Sequence, residues 1–355
     1  MERDKINNLI KSGIFGLVVA DALGVPYEFK SREYCDANPM TDMIGYGTYN
    51  QEPGTWSDDS SMALATLDGL TNSFEFDFDE GVYISNFSQI INYEDIMEKF
   101  ASWLFDGEYT PYGEVFDHGA TTFKGIANFK FENCEPILSG AKGERDNGNG
   151  SLMRILPIAY FIFFLSLKYS FSKYDMMEAI HNLSSLTHRH KRSQMACGIY
   201  VIIGIELLRN CFEENDEKLS LEEVVNNGIS LAKEYYFDNE YFKHQFSHFD
   251  RVFSLKIQDL PRDEIQSGGY VISTLEASIW CLLNNDSYKE TALAAVNLGK
   301  DTDTTACVVG GLAGIYYGYE NIPTHWLEQI AKYDYINELI ENFSNSLFEI
   351  IDENN

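Results

Sequence analysis

Residues 295–318 read AVNLGKDTDTTACVVGGLAGIYYG. The apolar run behind Asp301-Thr302-Asp303-Thr304-Thr305 predicts a helix over 303–318, entered from a loop that carries two acids and several hydroxyls. Gly310, Gly314 and Gly318 recur every four residues, which places them on one helix face. Gly16, Ala20 and Gly24 repeat the pattern near the start of the chain. A glycine inside a helix costs about 0.5–1 kcal/mol relative to alanine. Two such stripes therefore point to close backbone approach against another helix.

The same periodicity extends outward. Leu9, Ile10, Phe15, Leu17, Val18 and Leu23 predict a first helix ending near Gly24, with Pro26 beyond it. A second runs from Ser57 to Leu70, opened by Ser57, Asp58 and Asp59 at its N-cap and first turn. Further helices are predicted near 92–106, 119–129, 151–168, 173–184, 190–211, 219–237, 269–284, 287–298 and 324–349, the last with room for a break. Strand-like alternation is confined to a weak Tyr-Ile-Ser-Asn-Phe at 83–87. The expected fold is all-α: a single compact multi-helix domain over 1–355, with surface insertions near the polar stretches 71–90 and 211–262. No repeat of solenoid period is present.

The 355 residues are 45% hydrophobic and 14% aromatic, enough for a sizeable core without disulfide or metal staples. Twenty-six Lys and Arg stand against 55 Asp and Glu, a net charge of −29. Nucleic-acid backbones and anionic membranes repel such a chain, so neither is an expected partner. An anionic substrate would have to meet a local positive field. The six cysteines form no CxxC pair and fit a reducing, cytoplasmic setting. MERDKINNLI lacks the features of a signal peptide. The longest apolar run, Ile155–Leu167, is too short to span a bilayer and reads as core. A monomer is expected.

Three acidic motifs stand apart: Ser57-Asp58-Asp59-Ser60, Asp301-Thr302-Asp303-Thr304-Thr305, and Asp21 with Glu28 around a turn. Either of the first two alone reads as an N-cap favoured by the helix dipole. Together they supply more acceptors than two caps need. Hard oxygen donors in that density suit Mg²⁺, Mn²⁺ or Ca²⁺, and four or five converging carboxylates need cations to neutralise them. The spacing is not that of an EF-hand. His188 and His190 point in different directions on a helix and have no third nitrogen or sulfur ligand nearby in sequence, which argues against zinc. In the Asn147-Gly148-Asn149-Gly150-Ser151 loop, backbone amides can close on a phosphate, with Arg154 adding charge; an ordinary turn would look the same. Trp56, Phe116 and His118 fit either the cleft wall or local packing.

With these residues in view, the chain resembles the ADP-ribosylglycohydrolases, including the dinitrogenase-reductase-activating glycohydrolases. Seven blocks carry the resemblance in order: GLVVADALGVPYEF, GTWSDDSSMAL, FDHGATT, NGNGSLMRILPIA, LTHRH, SGGYVISTLEASIW and residues 295–318. The resemblance implies an all-α fold with a binuclear cleft holding two divalent cations, Mg²⁺ or Mn²⁺. It implies metal ligation by Ser57, Asp58, Asp59, Asp301, Asp303 and Thr304, with Asp303 counted among the catalytic groups. Glu28 matches a glutamate on a mobile loop beside the metals, and Asp117 an acid near the ribose. Asn149, Gly150, Ser151 and Met153 match the loop that approaches ADP-ribose, and His188 a substrate-cleft histidine. Glu28 and Asp117 are the candidates for proton transfer, unranked. Ser57 stands where threonine is usual, Ala20 and Lys300 where glycine is usual, and Gly268-Gly269 varies the Ser-Gly-Tyr block.

The implied reaction is metal-dependent hydrolysis of the bond between C1 of the distal ribose and its acceptor, through an oxocarbenium-like state. The expected partner is ADP-ribose or an ADP-ribosylated protein. Alternatives are a hydrolase of a small ADP-ribose-like metabolite or modified nucleobase, a non-catalytic ADP-ribose-binding relative, and a calcium-stabilised scaffold.

Overall fold

The computed structural model describes residues 3–75, 86–212 and 218–352. Among them run fifteen helices: α1 (Arg3–Gly24), α2 (Arg32–Ala37), α3 (Asp58–Asn72), α4 (Tyr93–Asp106), α5 (Ala120–Glu132), α6 (Leu156–Ser166), α7 (Lys173–Ser185), α8 (Lys191–Phe212), α9 (Leu221–Phe237), α10 (Asp250–Phe253), α11 (Val271–Leu283), α12 (Tyr288–Val296), α13 (Thr302–Tyr317), α14 (Thr324–Leu327) and α15 (Tyr333–Asp352). The β pairing among the described residues is limited to three isolated bridges. The architecture is the expected single all-α domain. Most of the alternating stretch near 83–87 and the middle of the 71–90 insertion lie outside the described residues.

The two small-residue stripes meet each other. α1 and α13 pack side by side at the centre, with α3, α12 and α15 against α1 and with α8, α11 and α12 against α13. A β-carbon at Gly16 would lie 2.5 Å from Gly310 O and 2.9 Å from Gly314 Cα. Backbone thus touches backbone, which no larger residue permits. Tyr288 Oη donates to Gly16 O at 2.6 Å, and Thr302 Oγ1 to Gly24 O at 2.8 Å, locking the register. Gly318 serves differently: it ends α13 at φ +87°. The consequence for function is positional, because this contact brings the end of α1 against the start of α13. Gly16→Ala should cost about 2 kcal/mol, since overpacking against rigid backbone outweighs the roughly 1 kcal/mol gain in helix propensity. Urea denaturation checks this beside Gly268→Ala, whose β-carbon meets nothing within 4 Å.

Two helical stretches, 3–27 and 191–212, are long and apolar enough to cross a membrane by length and composition. Their apolar windows are 89% and 72% buried inside the fold, where they form its core. α6 is shorter than the predicted 151–168 helix. Residues 150–154 form turns, and Pro157 sits in its first turn. The 211–262 stretch includes α9, which opens on a Ser220–Glu223 capping box and buries Val225, Ile229 and Ala232. The predicted 324–349 helix is broken into α14 and α15, with Ala331 N donating to Gly54 O in the gap.

Candidate active site

Four segments converge on one buried acidic centre. α1 supplies Asp21 and α3 supplies Asp58 and Asp59. The entry to α13 supplies Asp301 and Asp303, and the turn after α1 supplies Glu28. Asp21, Asp58, Asp59, Asp303 and Glu28 are each at most 8% exposed. Carboxylate oxygens of Asp21, Asp59 and Asp303 lie within 4.8 Å of one another, as do those of Glu28, Asp301 and Asp303. Asp303 belongs to both groups.

Hydrogen bonds from this chain satisfy only part of the centre. Asp21 accepts from Ser57 Oγ at 2.8 Å, from Ser60 Oγ at 2.5 Å, and from both backbone amides, so it clamps the N-terminus of α3. Ser57 is the α3 N-cap, accepting from Asp59 N at 3.3 Å. Thr304 Oγ1 donates to Asp59 Oδ2 at 3.3 Å across the site. Asn149 Nδ2 donates to Asp301 Oδ2 at 2.9 Å and lies 3.0 Å from Thr274 Oγ1. Three carboxylate oxygens, Glu28 Oε2, Asp59 Oδ1 and Asp303 Oδ2, are buried without any partner among the described residues. No carboxylate of the cluster forms an ion pair among the described residues.

Such crowding makes ionisation costly. Burial, reinforced by repulsion from Asp117 and Asp301, lifts Glu28 to about 8. Burial lifts Asp21 to about 6 even though Ser60 and Ser57 stabilise its anion. Burial and mutual repulsion hold Asp58, Asp59 and Asp303 well above the ordinary carboxylate range, and burial holds Asp301 and Asp117 above it. Unpaired buried carboxylates in this number fit a divalent cation, whose charge would offset both penalties.

Backbone strain near the centre has a purpose. Lys300 adopts φ +69° and Phe29 φ +63°. In that conformation Phe29 N donates to Lys300 O and Lys300 N to Lys30 O, each at 2.6 Å. The pairing ties the Glu28 turn to the α13 entry. The Lys300 side chain itself is exposed and reaches Gln266 Oε1 at 3.3 Å, away from the acids.

The remaining sequence candidates divide. Asp117 is half-buried at the rim, where it shares the Tyr49 hydroxyl with Glu28. Asn149 and Gly150 face the centre and His188 respectively. Ser151 and Met153 turn inward instead: Ser151 Oγ accepts from Ser184 Oγ at 3.1 Å, and Met153 is 3% exposed. Arg154, expected to add charge near the loop, is fully buried beneath it and donates to Leu183 O and Thr187 Oγ1. Trp56 is core, with Nε1 donating to Tyr109 O, and His118 is exposed against Phe123. Phe116 packs on Tyr49 at 5.1 Å. Asp21 stood out in the sequence with Glu28 as an acidic motif around a turn, yet it was assigned no role in the site. Tyr49 gave no signal.

Sequence comparison points the same way as this geometry. The ADP-ribosylglycohydrolase family profile matches residues 2–354. The ADP-ribosylarginine hydrolase Tri1 of Serratia proteamaculans is 30% identical over 340 residues, covering 93% of this chain and 77% of that protein. The ADP-ribosyl-(dinitrogen reductase) glycohydrolase of Rhodospirillum rubrum is 26% identical over 340 residues, covering 93% and 92%. A solved ADP-ribosylglycohydrolase-related protein complex shares the fold, with a TM-score of 0.70 over 97% of this chain and 99% of that one at 22% identity. A match along nearly the whole sequence, over an all-helical body with one buried acidic centre, means that this chain is a hydrolase of the ADP-ribosylglycohydrolase family.

Proposed function

We propose that this enzyme releases ADP-ribose from ADP-ribosylated arginine side chains of protein, with two Mg²⁺ or Mn²⁺ ions in the acidic centre. The observation that carries the reading is the set of three unpartnered buried oxygens, Glu28 Oε2, Asp59 Oδ1 and Asp303 Oδ2, gathered from distant parts of the chain beside the Asn149 loop. Similarity to two ADP-ribosylarginine hydrolases, at 30% and 28% identity, favours arginine as the acceptor. A protein substrate and a reducing, cytoplasmic setting go together with the six unpaired cysteines.

Ser57, Asp58, Asp59, Asp301, Asp303 and Thr304 would hold the ions, and Asp21 keeps Ser57 in place. Bound cations supply charge to orient the ribose hydroxyls and to acidify a water. Glu28 is the better of the two candidates for proton transfer. Its Oε2 has no partner among the described residues and its carboxylate lies within 4.8 Å of those of Asp301 and Asp303, whereas Asp117 Oδ1 already accepts its neighbour's amide at 2.8 Å. Asp117 sits at the rim, where it would meet the ribose. Asn149 bridges the centre to the glycine loop, so the distal ribose and the pyrophosphate would be held on one continuous wall.

The test is ADP-ribose release from arginine-modified and serine-modified protein, with Mg²⁺, Mn²⁺ or chelator. Release from arginine alone, lost with chelator and restored by either cation, is expected. Undiminished release by the chelated protein rejects the cation mechanism, and preference for serine rejects the acceptor.

A further inference from the structure

Arg154 is fully buried, and its guanidinium lies over the Phe100 ring at 4.6 Å with no carboxylate beside it among the described residues. One of its nitrogens donates to Leu183 O at 3.1 Å and to Thr187 Oγ1 at 2.9 Å. The same Thr187 oxygen lies 2.9 Å from His188 Nδ1. A guanidinium only donates, so Thr187 Oγ1 accepts from Arg154. Among the described residues its own proton then has one acceptor in reach, His188 Nδ1. Were Nδ1 the donor, the buried hydroxyl proton would be left without any acceptor among the described residues. Burial and the Arg154 charge also keep the imidazole neutral, pulling it down to about 3. The one ring proton must therefore sit on Nε2.

That nitrogen faces the glycine loop. It lies 3.6 Å from the β-carbon position of Gly148 and 3.5 Å from that of Gly150, and has no hydrogen-bond partner among the described residues. Thr122 Oγ1, also buried and without a partner among the described residues, lies 2.6 Å from the same Gly150 position. Any side chain at 150 would fill this space. Between the two glycines, Asn149 reaches the acidic centre.

We propose that Arg154 and Thr187 are positioning residues that fix His188 as its Nε2–H tautomer, a neutral donor aimed at a phosphate oxygen of ADP-ribose. The ligand half rests on the function proposed above; the tautomer half does not. A neutral donor suits this chain because it adds a hydrogen bond to an anion without a second buried cation beside Arg154. The contact exists with substrate and transition state alike, so it acts on KM more than on kcat.

Nitrogen-15 correlation spectra of the histidine rings in the full-length protein read the tautomer directly, with His188 assigned from the signal lost in His188→Gln. Nε2 should be protonated and Nδ1 bare from about pH 5 to about pH 8. In Thr187→Val the single tautomer should be lost. ADP-ribose affinity, measured by calorimetry with Mg²⁺, should fall about tenfold and KM rise in parallel with kcat little changed. Thr187→Ser should restore all three. A wild-type Nδ1–H signal overturns the relay, as does an unchanged tautomer in Thr187→Val. A wild type with the expected tautomer and no ADP-ribose binding overturns the phosphate role together with the proposed function. Full affinity in Thr187→Val with a scrambled tautomer overturns the phosphate role alone.

Discussion

Asp303→Ala should lower ADP-ribose release by about a thousandfold or more while leaving the chain folded, the scale seen when a preorganised electrostatic group is removed from an active site. Asp303 is 1% exposed, and one of its oxygens has no partner among the described residues. It is the one carboxylate shared by both close acidic groups, with Asp21 and Asp59 on one side and Glu28 and Asp301 on the other. Removing it would therefore disturb both proposed ion positions. Its removal also relieves repulsion: Glu28, Asp59 and Asp301 each raise its cost of ionisation. The cation-free variant is then expected to melt no lower than the parent, and its melting shift with Mn²⁺ should shrink. Single-turnover release assays and calorimetric melting check the two halves. Activity within tenfold of the parent would remove Asp303 from the mechanism.

Much of this arrangement was legible in the chain itself, and the reasons are physical. The helix entries at 57–59 and 301–305 announce themselves because acids and hydroxyls in a first turn satisfy open amides and the dipole. The stripes at 16, 20, 24 and 310, 314 carried a cost that only close packing offsets, and they proved to pack on each other. What was hidden depends on three-dimensional neighbours. Asp21 stood apart with Glu28 as an acidic motif, but its role as the clamp on α3 depends on Ser57 and Ser60, 36 and 39 positions away. Arg154 was expected to add charge near the phosphate because it follows a glycine loop. Yet the turns at 150–154 carry it under the loop, and only there does it meet Thr187. Turn geometry between a loop and a helix leaves a weaker trace in sequence than helix periodicity does, which is why 151–155 was read as helix.

The acidic centre also sets an unusual pH dependence for the cation-free protein: it should lose stability as pH rises from about 4 to about 8. The sign follows from linkage. Asp21 moves from an ordinary 3.8 up to about 6, and Glu28 from 4.5 up to about 8. Below the unfolded values both groups are protonated in either state and nothing is lost. Between the unfolded and folded values the native protein holds more protons, so each rise in pH favours unfolding. Above about 8 the loss is complete. For Asp21 alone, which is 0% exposed, two units correspond to about 3 kcal/mol. Hydrogen bonds from Ser57 and Ser60 already oppose part of this burial cost. Divalent cations act in the opposite direction, because they bind the ionised centre of the native state; a cation at a hundred times its Kd adds about 2.7 kcal/mol. Melting temperatures with chelator should therefore fall from about pH 5 to about pH 8, while with Mg²⁺ the curve flattens and the cation-induced shift widens with pH. A chelated protein that melts higher at about pH 8 than at about pH 5, or a Mg²⁺ shift equal at both, would mean that these carboxylates do not ionise together in the folded chain.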